Sequence, residues 1–240
     1  MYRAGVVPPP LAKPIAIGGL VFFADALLYF GYRYLVVFGR EVEGTLSHRA
    51  IAFDVALFSV FALHHTVFAR DALRNAVTQI VGSLERSAYV WIASALFIAT
   101  CAWWWPVAGM AWRFDRPAIG WLMRGLQIAG VWLTLRSVAQ IDLRHLSGLA
   151  QLAESASDGP VEFKTAGPYG WVRHPIYSGW FLMLFAMPVM TMTQLVFAVT
   201  SSLYLILAIP FEERSLRQSS AGAYDDYMRK VPWKLVPHVY

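Results

Sequence analysis

Six long apolar runs divide the chain and limit what it can fold into. They span approximately residues 15–38, 51–68, 88–107, 117–135, 176–191 and 194–210. A helix needs about 20 apolar residues to cross the hydrocarbon core of a bilayer, and in lipid the backbone polar groups must be satisfied within the helix itself. The sequence therefore predicts an all-α, polytopic membrane helix bundle with about six transmembrane helices.

The composition favours lipid over water as the surrounding solvent. Of the 240 residues, 58% are hydrophobic and only 15% are charged, whereas about a quarter of the residues of a soluble domain are charged. The net charge of +5 does not indicate nucleic-acid binding, because the basic residues gather in the gaps between the apolar runs instead of forming one stripe. Cys101 is the one cysteine, so a disulfide within the chain is excluded.

The distribution of basic residues predicts the orientation. With six spans, 14 of the 20 Lys and Arg residues fall on the side that holds both termini, 5 fall on the other side, and Arg124 lies within the fourth run. Cytoplasmic loops carry the excess of Lys and Arg in membrane proteins. We therefore expect both termini in the cytoplasm. No repeat or soluble domain interrupts the runs, which predicts a single integral membrane domain over residues 1–240.

A polar stretch, GPYGWVRHPIYSGW at residues 167–180, leads from a turn into the fifth run. Pro175 suits the first turn of a helix, because its missing N–H would be unpaired there in any case. Arg173 and His174 come directly before it, so their side chains and the free N–H groups of the helix start favour an anionic group such as a carboxylate. Gly179 would allow a backbone or a flat ligand to approach closely. The alternative is that Arg173 and His174 only anchor the helix at the lipid headgroups.

Two carboxylates follow the sixth run. Glu212 and Glu213 stand at the end of an apolar helix, where the helix dipole and nearby hydrocarbon disfavour acids. The last two runs are joined only by the residues TMT, which predicts a tight antiparallel hairpin that returns these acids to Arg173 and His174. The result is either a structural ion-pair cluster or the rim of a polar pocket. Successive helix residues point about 100° apart, so one of the two acids should face it.

Polar residues also interrupt the second run. Asp54, His64 and His65 lie within it, and polar groups at such depth usually face a cavity or a partner. They either form hydrogen bonds between helices or line a substrate pocket. The six histidines show no metal-ligand spacing backed by cysteines or acids, so we expect no metal site.

Several spaced motifs together resemble a known family. They are Arg173-His174-Pro175-x-Tyr177-x-Gly179, Glu212-Glu213-x-x-Leu216, Tyr224-x-x-Tyr227 and Val231-Pro232. This order is similar to the C-terminal signature of the isoprenylcysteine carboxyl methyltransferase-like integral membrane methyltransferases, a superfamily that includes phospholipid methyltransferases and bacterial methanethiol S-methyltransferases. The likeness covers about residues 160–237.

The resemblance implies S-adenosylmethionine as the cofactor. Residues 1–135 would form an N-terminal four-helix part, and residues 136–240 would bind the cofactor in a pocket open to the cytoplasm. Arg173 and Glu213 would be catalytic, with Arg173 holding the carboxylate of the cofactor or orienting the acceptor. The resemblance further implies a set of cofactor-binding residues: His174, Pro175, Tyr177, Gly179, Glu212, Glu213, Tyr224 and Tyr227.

The methyl acceptor stays open at this point. The resemblance implies a small or lipophilic oxygen, sulfur or nitrogen nucleophile that arrives from the lipid bilayer, with Asp54, His64 and His65 as substrate residues. The methanethiol branch carries a DLFGLRQ-like motif after the fourth span, where this chain has HLSGLAQ. We expect a bacterial inner-membrane location and no nucleic-acid partner. The alternatives are a membrane reductase of the sterol-reductase type that uses NADPH, or a non-enzymatic transporter.

Overall fold

The computed structural model describes residues 9–68, 71–141, 163 and 165–240, and most of these residues are helical. The HLSGLAQ motif lies outside the described residues. The elements in chain order are α1 (Pro9–Tyr32) with a π-helical extension (Arg33–Val37), α2 (His48–Phe68), α3 (Asp71–Val81), a 3-10 turn (Gly82–Leu84), α4 (Glu85–Trp103), β1 (Met110–Arg113), α5 (Pro117–Val138), a second 3-10 turn (Gly167–Gly170), α6 (Pro175–Phe185), β2 (Val189–Thr191), α7 (Met192–Ser219) and α8 (Ala223–Lys230).

The membrane helix bundle is confirmed. Among the described residues, three segments are long and apolar enough to cross a membrane: Leu11–Val37, α5 and α7. The helices α2, α4 and α6 occupy the other three predicted runs. With 11 residues, α6 is about 16 Å long, which is about half of the hydrocarbon core.

Apolar side chains cover the outward surface of the long helices. On α5, Trp121, Ile128 and Leu135 are 75%, 69% and 64% exposed. Such exposure would be costly in water but is favourable against lipid tails, which are as apolar as the side chains themselves. These surfaces therefore fit a helix that faces the bilayer.

The connection between the last two predicted spans is longer than the sequence indicated. The helix α6 already ends at Phe185, and β2 follows before α7 begins at Met192. Thr191 and Gln194 form a capping box, in which the Thr191 side chain accepts from the Gln194 backbone N–H and the Gln194 side chain accepts from the Thr191 backbone N–H. A short apolar strand and a helical segment look alike in sequence, which explains why the apolar run concealed this break.

The strand β2 pairs with β1 in a two-stranded antiparallel sheet. Met110 lies opposite Thr191 and Arg113 lies opposite Val189, with a register irregularity after Met110. The Trp112 side chain donates from Nε1 to the carbonyl oxygen of Met187 at 2.8 Å. The sheet thus fixes the segment between α6 and α7.

Contacts divide the helices between two units, of which the first contains α1 to α4. Within it, the rings of Phe30 and Phe97 pack with their centroids 5.5 Å apart, so α1 and α4 share an aromatic core. Arg33 donates from Nε to the carbonyl oxygen of Cys101 at 2.9 Å. This bond satisfies one of the carbonyls that the end of α4 leaves without a partner in the helix.

The second unit contains β1, α5, α6, β2, α7 and α8. A close helix contact joins Gly130 of α5 to Gly179 of α6. A Cβ atom added to Gly179 would lie 2.7 Å from the carbonyl oxygen of Gly130 and 2.3 Å from Oγ1 of Thr134. The two backbones are therefore almost in contact, and this contact sets the position of α6.

Candidate active site

The start of α6 positions the first two site residues. His174 is the N-cap of the helix and Pro175 occupies its first turn, as the sequence predicted. The side chains of Arg173 and His174 therefore project from the chain at the point where the apolar helix begins. Both residues are buried, at 7% and 6% exposure.

Arg173 makes three charge-assisted hydrogen bonds. Its Nε donates to Oε1 of Glu213 at 2.7 Å, and its Nη1 donates to the carbonyl oxygens of Val231 and Pro232 at 2.9 Å and 2.6 Å. Hydrogen bonds from a guanidinium to a carboxylate are about twice as strong as neutral ones. Among the described residues these three bonds use Nε and Nη1 and leave out Nη2.

His174 lies between the two carboxylates that follow the sixth run. Its Nε2 is 3.2 Å from Oε1 of Glu213, and its Nδ1 is 3.6 Å from Oε2 of Glu212. Its ring stacks on that of Tyr177, with centroids 5.3 Å apart. Each ring nitrogen of His174 thus lies near a different carboxylate. The sequence predicted that one of the two acids would face the cluster.

The helix α7 brings these acids to the cluster. It has 28 residues and is about 42 Å long, so it exceeds the hydrocarbon core of about 30 Å, and its last turns extend past the apolar region. Glu213 is buried against Arg173 and His174, and its Oε1 also accepts from the hydroxyl of Tyr224 at 3.4 Å. Glu212 accepts from the hydroxyl of Tyr177 at 2.8 Å. The cluster therefore joins the beginning of one apolar helix to the end of the next.

Three tyrosines, Tyr169, Tyr224 and Tyr227, lie next to the cluster. Tyr224 and Tyr227 are buried in a small core with Val231 and Phe163, and Tyr227 donates its hydroxyl to the carbonyl oxygen of Tyr169 at 2.8 Å. Burial, and then the nearby charge of Glu212, raise the pKa of Tyr169 to about 12.

Burial is also the main cause that raises the pKa of Tyr224 and the pKa of Tyr227 above the usual value. The three phenols therefore stay protonated at neutral pH. Each can donate a hydrogen bond from its hydroxyl.

Within the second unit the structure brings most of the predicted site residues together, and the other four have different surroundings in their own units. Gly179 faces α5 at the close contact described above, and that packing requires its missing side chain. Asp54, His64 and His65 lie on α2 in the first unit. Among the described residues, no three His, Cys, Asp or Glu side chains gather as metal ligands.

The α2 residues take part in the packing of the first unit. Asp54 is fully buried, and its Oδ1 accepts from the backbone N–H of Trp105 at 2.8 Å. The ring of His64 stacks on Tyr89 with centroids 5.7 Å apart. The Tyr89 hydroxyl also forms a hydrogen bond with Nδ1 of His65.

Sequence reasoning missed one side chain of the site. Ser178, one turn after His174, donates its hydroxyl to the carbonyl oxygen of Leu235 at 2.6 Å. A serine inside an apolar run at helical spacing gives no signal of such a contact. The backbone carbonyls around Arg173 were missed for the same reason, because every residue has one.

A predominantly helical membrane protein with a buried Arg–His–Glu cluster between two helix ends fits the class of integral membrane methyltransferases. A sequence model of the isoprenylcysteine carboxyl methyltransferase family matches residues 156–218. Comparisons with individual proteins point the same way. Methanethiol S-methyltransferase from Crocosphaera subtropica is 34% identical over 79% of this chain and 76% of its own length.

Two further relatives carry the same name. Methanethiol S-methyltransferase 1 of Bradyrhizobium diazoefficiens is 31% identical over 90% of this chain and 79% of its own length. The Mycobacterium tuberculosis enzyme is 32% identical over 92% of this chain and 96% of its own length. No solved structure gave a significant match. The chain belongs to the isoprenylcysteine carboxyl methyltransferase-like family, and it is a membrane methyltransferase with a methyl donor and a methyl acceptor.

Proposed function

We propose that this methyltransferase transfers the methyl group of S-adenosylmethionine to a small thiol, and that it does so at the Arg173–His174–Glu213 cluster. The sulfur acceptor is supported by the relatives named for methanethiol, which cover most of the chain. These names favour sulfur over oxygen or nitrogen. They also favour a methyltransferase over a reductase or a transporter.

One observation carries the assignment of the site. Arg173 Nε and His174 Nε2 lie 2.7 Å and 3.2 Å from the same oxygen of Glu213, although about 40 residues separate Glu213 from both. A buried charge at a helix end is costly unless it is paired. A cluster of this kind, at the boundary between apolar helices and a polar surface, supports a binding site more than a headgroup anchor.

The chemistry of the cluster fits the polar groups of S-adenosylmethionine. Nη2 of Arg173 suits the carboxylate of the donor. Glu212, whose side chain is 44% exposed, suits an ammonium group or ribose hydroxyls. The stacked rings of His174 and Tyr177 suit an adenine face or the sulfonium. The residues present therefore fit the donor.

The bound donor supplies an activated sulfonium methyl group, so the protein needs to align two sulfur atoms and exclude water. Alignment alone is worth about 7–11 kcal/mol in well-oriented systems. Arg173 would hold the carboxylate of the donor, and Glu212 would hold its ammonium group or its ribose hydroxyls. The buried side chains of Tyr224 and Tyr227 would shield one side of the donor site from solvent. The acceptor sulfur would gain the methyl carbon, the donor sulfur would keep the electron pair of the broken bond as a neutral thioether, and the thiol proton would pass to the bulk solvent outside the site.

We further propose that the protein lies in a bacterial inner membrane with both termini and the cluster on the cytoplasmic side. The excess of Lys and Arg on the terminal side supports this orientation. A cytoplasmic site would let the water-soluble donor enter from the cytosol. A small apolar thiol could reach the site from the bilayer.

The residues of α2 are proposed to serve the acceptor. Support comes from polar atoms that are shielded from solvent and have no hydrogen-bond partner in the described part of the chain: Oδ2 of Asp54 and both ring nitrogens of His64. His64→Phe should then raise KM for the thiol while leaving KM for S-adenosylmethionine unchanged. If His64→Phe and the wild type have equal KM values for the thiol, His64 serves helix packing alone.

Binding of tritiated S-adenosylmethionine to the purified protein tests the main proposal. We expect His174→Ala and Glu213→Ala to weaken binding at least tenfold, while Asp226→Asn, which changes an exposed carboxylate on α8, should have no effect. NADPH should not compete. Near-wild-type affinity in both alanine variants would show that the cluster is not the donor site, and competition by NADPH would favour the reductase.

A further inference from the structure

The chain returns to the start of α6 after α8 ends. Residues 231–240, here called the C-terminal strap, present successive backbone carbonyls to the cluster. The carbonyls of Val231 and Pro232 accept from Nη1 of Arg173, and the carbonyl of Trp233 accepts from the backbone N–H of Arg173 at 2.9 Å. One arginine thus binds three neighbouring carbonyls of the strap.

The next two carbonyls continue the pattern along α6. The carbonyl of Lys234 accepts from the backbone N–H of His174 at 2.9 Å. The carbonyl of Leu235 accepts from the hydroxyl of Ser178 at 2.6 Å. All five carbonyls from residue 231 to residue 235 therefore accept hydrogen bonds from three residues at the beginning of α6.

Backbone hydrogen bonds within the strap join residues 234–236 to Tyr240. The N–H groups of Lys234, Leu235 and Val236 all donate to the carbonyl oxygen of Tyr240, at 2.8 Å, 2.7 Å and 3.1 Å. Lys234 also donates from Nζ to the hydroxyl of Tyr240 at 3.1 Å, and its ammonium lies 4.5 Å from the centroid of the Tyr240 ring. Lys234 and Leu235 are therefore held both by α6 and by Tyr240.

These contacts satisfy groups that the helix start would otherwise leave without partners. The N–H groups that precede a helix have no intrahelical acceptor, and burying such a group unpaired is costly. The strap supplies acceptors to the two residues whose side chains meet Glu213. The orientation of Arg173 and His174 thus depends on the strap.

We propose that the C-terminal strap positions Arg173 and His174 for donor binding, and that Ser178 is a positioning residue that holds the strap on α6. The link to donor affinity rests on the proposed function; the strap contacts themselves do not. Within the described part of the chain, the Ser178 hydroxyl bonds to the carbonyls of Leu235 and His174 and to neither carboxylate of the cluster. Its influence on the donor would act through the strap, while its bond to the His174 carbonyl is the local helix bond that the control variant below reproduces.

The test uses the full chain in nanodiscs and three variants. Ser178→Ala removes the bonds of this hydroxyl to the carbonyls of Leu235 and His174, and Ser178→Thr keeps a hydroxyl. Ser137→Ala is the matched control, because among the described residues the Ser137 hydroxyl donates to the carbonyl of Leu133 one turn back in its own helix, as the Ser178 hydroxyl does to that of His174. Two quantities are measured: hydrogen exchange at the amides of Arg173 and His174 without donor, and the Kd for S-adenosylmethionine.

We expect Ser178→Ala to speed exchange at both amides and to raise Kd by about fivefold, the effect of losing one hydrogen bond. The threonine variant should restore both, and Ser137→Ala should change neither. Unchanged exchange, or faster exchange with an unchanged Kd, would overturn the proposal. If the wild-type protein binds no S-adenosylmethionine, the proposed function fails, and the exchange rates then decide whether Ser178 holds the strap.

Discussion

Glu212 and Glu213 are neighbours in the chain, but their carboxylates lie in opposite environments. The side chain of Glu213 is 10% exposed and bonds to Arg173 at 2.7 Å, whereas that of Glu212 is 44% exposed and accepts from Tyr177. The 100° step between successive helix residues separates them. Glu213 therefore balances a buried cation, whereas Glu212 stays partly exposed, as its proposed role toward the donor requires.

This difference predicts unequal effects on stability. Glu213→Gln should destabilise the fold by about 3 kcal/mol, because it leaves the buried guanidinium of Arg173 without its counter-charge. Glu212→Gln should cost less than about 1 kcal/mol, since its own side chain is 44% exposed. Thermal unfolding in detergent measures both. Equal losses in the two variants would contradict the assignment of the buried pair.

Replacement of Arg173 by lysine should not preserve function. Lysine keeps the charge but cannot bond to a carboxylate and two carbonyls in the directions that Nε and Nη1 provide. We expect Arg173→Lys to weaken donor binding at least tenfold, measured by calorimetry. Arg217→Lys is the control, because Arg217 forms an ion pair with Asp225 at the surface. Donor binding at the wild-type level in Arg173→Lys would mean that charge alone suffices.

The contact between α5 and α6 predicts that Gly179→Ala is destabilising. The new Cβ would lie 2.7 Å from the carbonyl oxygen of Gly130 and 2.3 Å from Oγ1 of Thr134, so the helices must separate, at a cost of about 1–3 kcal/mol.

Gly125→Ala provides a matched control for Gly179→Ala. Gly125 lies inside α5 with no heavy atom within 4 Å of an added Cβ, so alanine there should stabilise by about 0.5–1 kcal/mol. The two variants are compared by their unfolding temperatures. A shift of the same sign in both would argue against the close helix contact.

The buried tyrosines predict that stability falls at high pH. Burial raises the pKa of Tyr224 above its usual value and raises the pKa of Tyr169 to about 12, whereas an unfolded phenol ionises near pH 10. The folded state therefore favours the neutral phenols. Their contribution is fully present below about pH 10 and is lost as the pH rises toward the folded values.

Unfolding temperatures at about pH 8 and about pH 11 measure this loss, with ionisation of an unfolded phenol expected only at the upper pH. Tyr224→Phe removes one of the three phenols, so the decrease between the two pH values should be smaller than in the wild type. Phe163→Leu, which changes a neighbouring ring without a titrating group, should leave the decrease unchanged. An equal decrease in wild type and Tyr224→Phe would contradict the prediction.

Local sequence signals were sufficient where residue type controls the backbone or the solvent. Pro175 predicted the first turn of α6 because its ring fixes φ and lacks an N–H. The apolar runs predicted the helices because lipid requires internal hydrogen bonding. The same runs hid the end of α6 at Phe185 and the strand β2, since a few apolar residues suit either conformation.

The meeting of the Arg173–His174 pair with Glu213 was predictable from the hairpin of apolar helices, but its surroundings were not. The apolar runs and the charged residues at their ends determined that two helix ends share a boundary, because charged groups are costly within hydrocarbon. Only the tertiary structure decided that the carbonyls of residues 231–235 bind the start of α6, and that Gly179 faces α5. A main-chain carbonyl is the same at every residue, so its partner depends on where the fold brings the chain back.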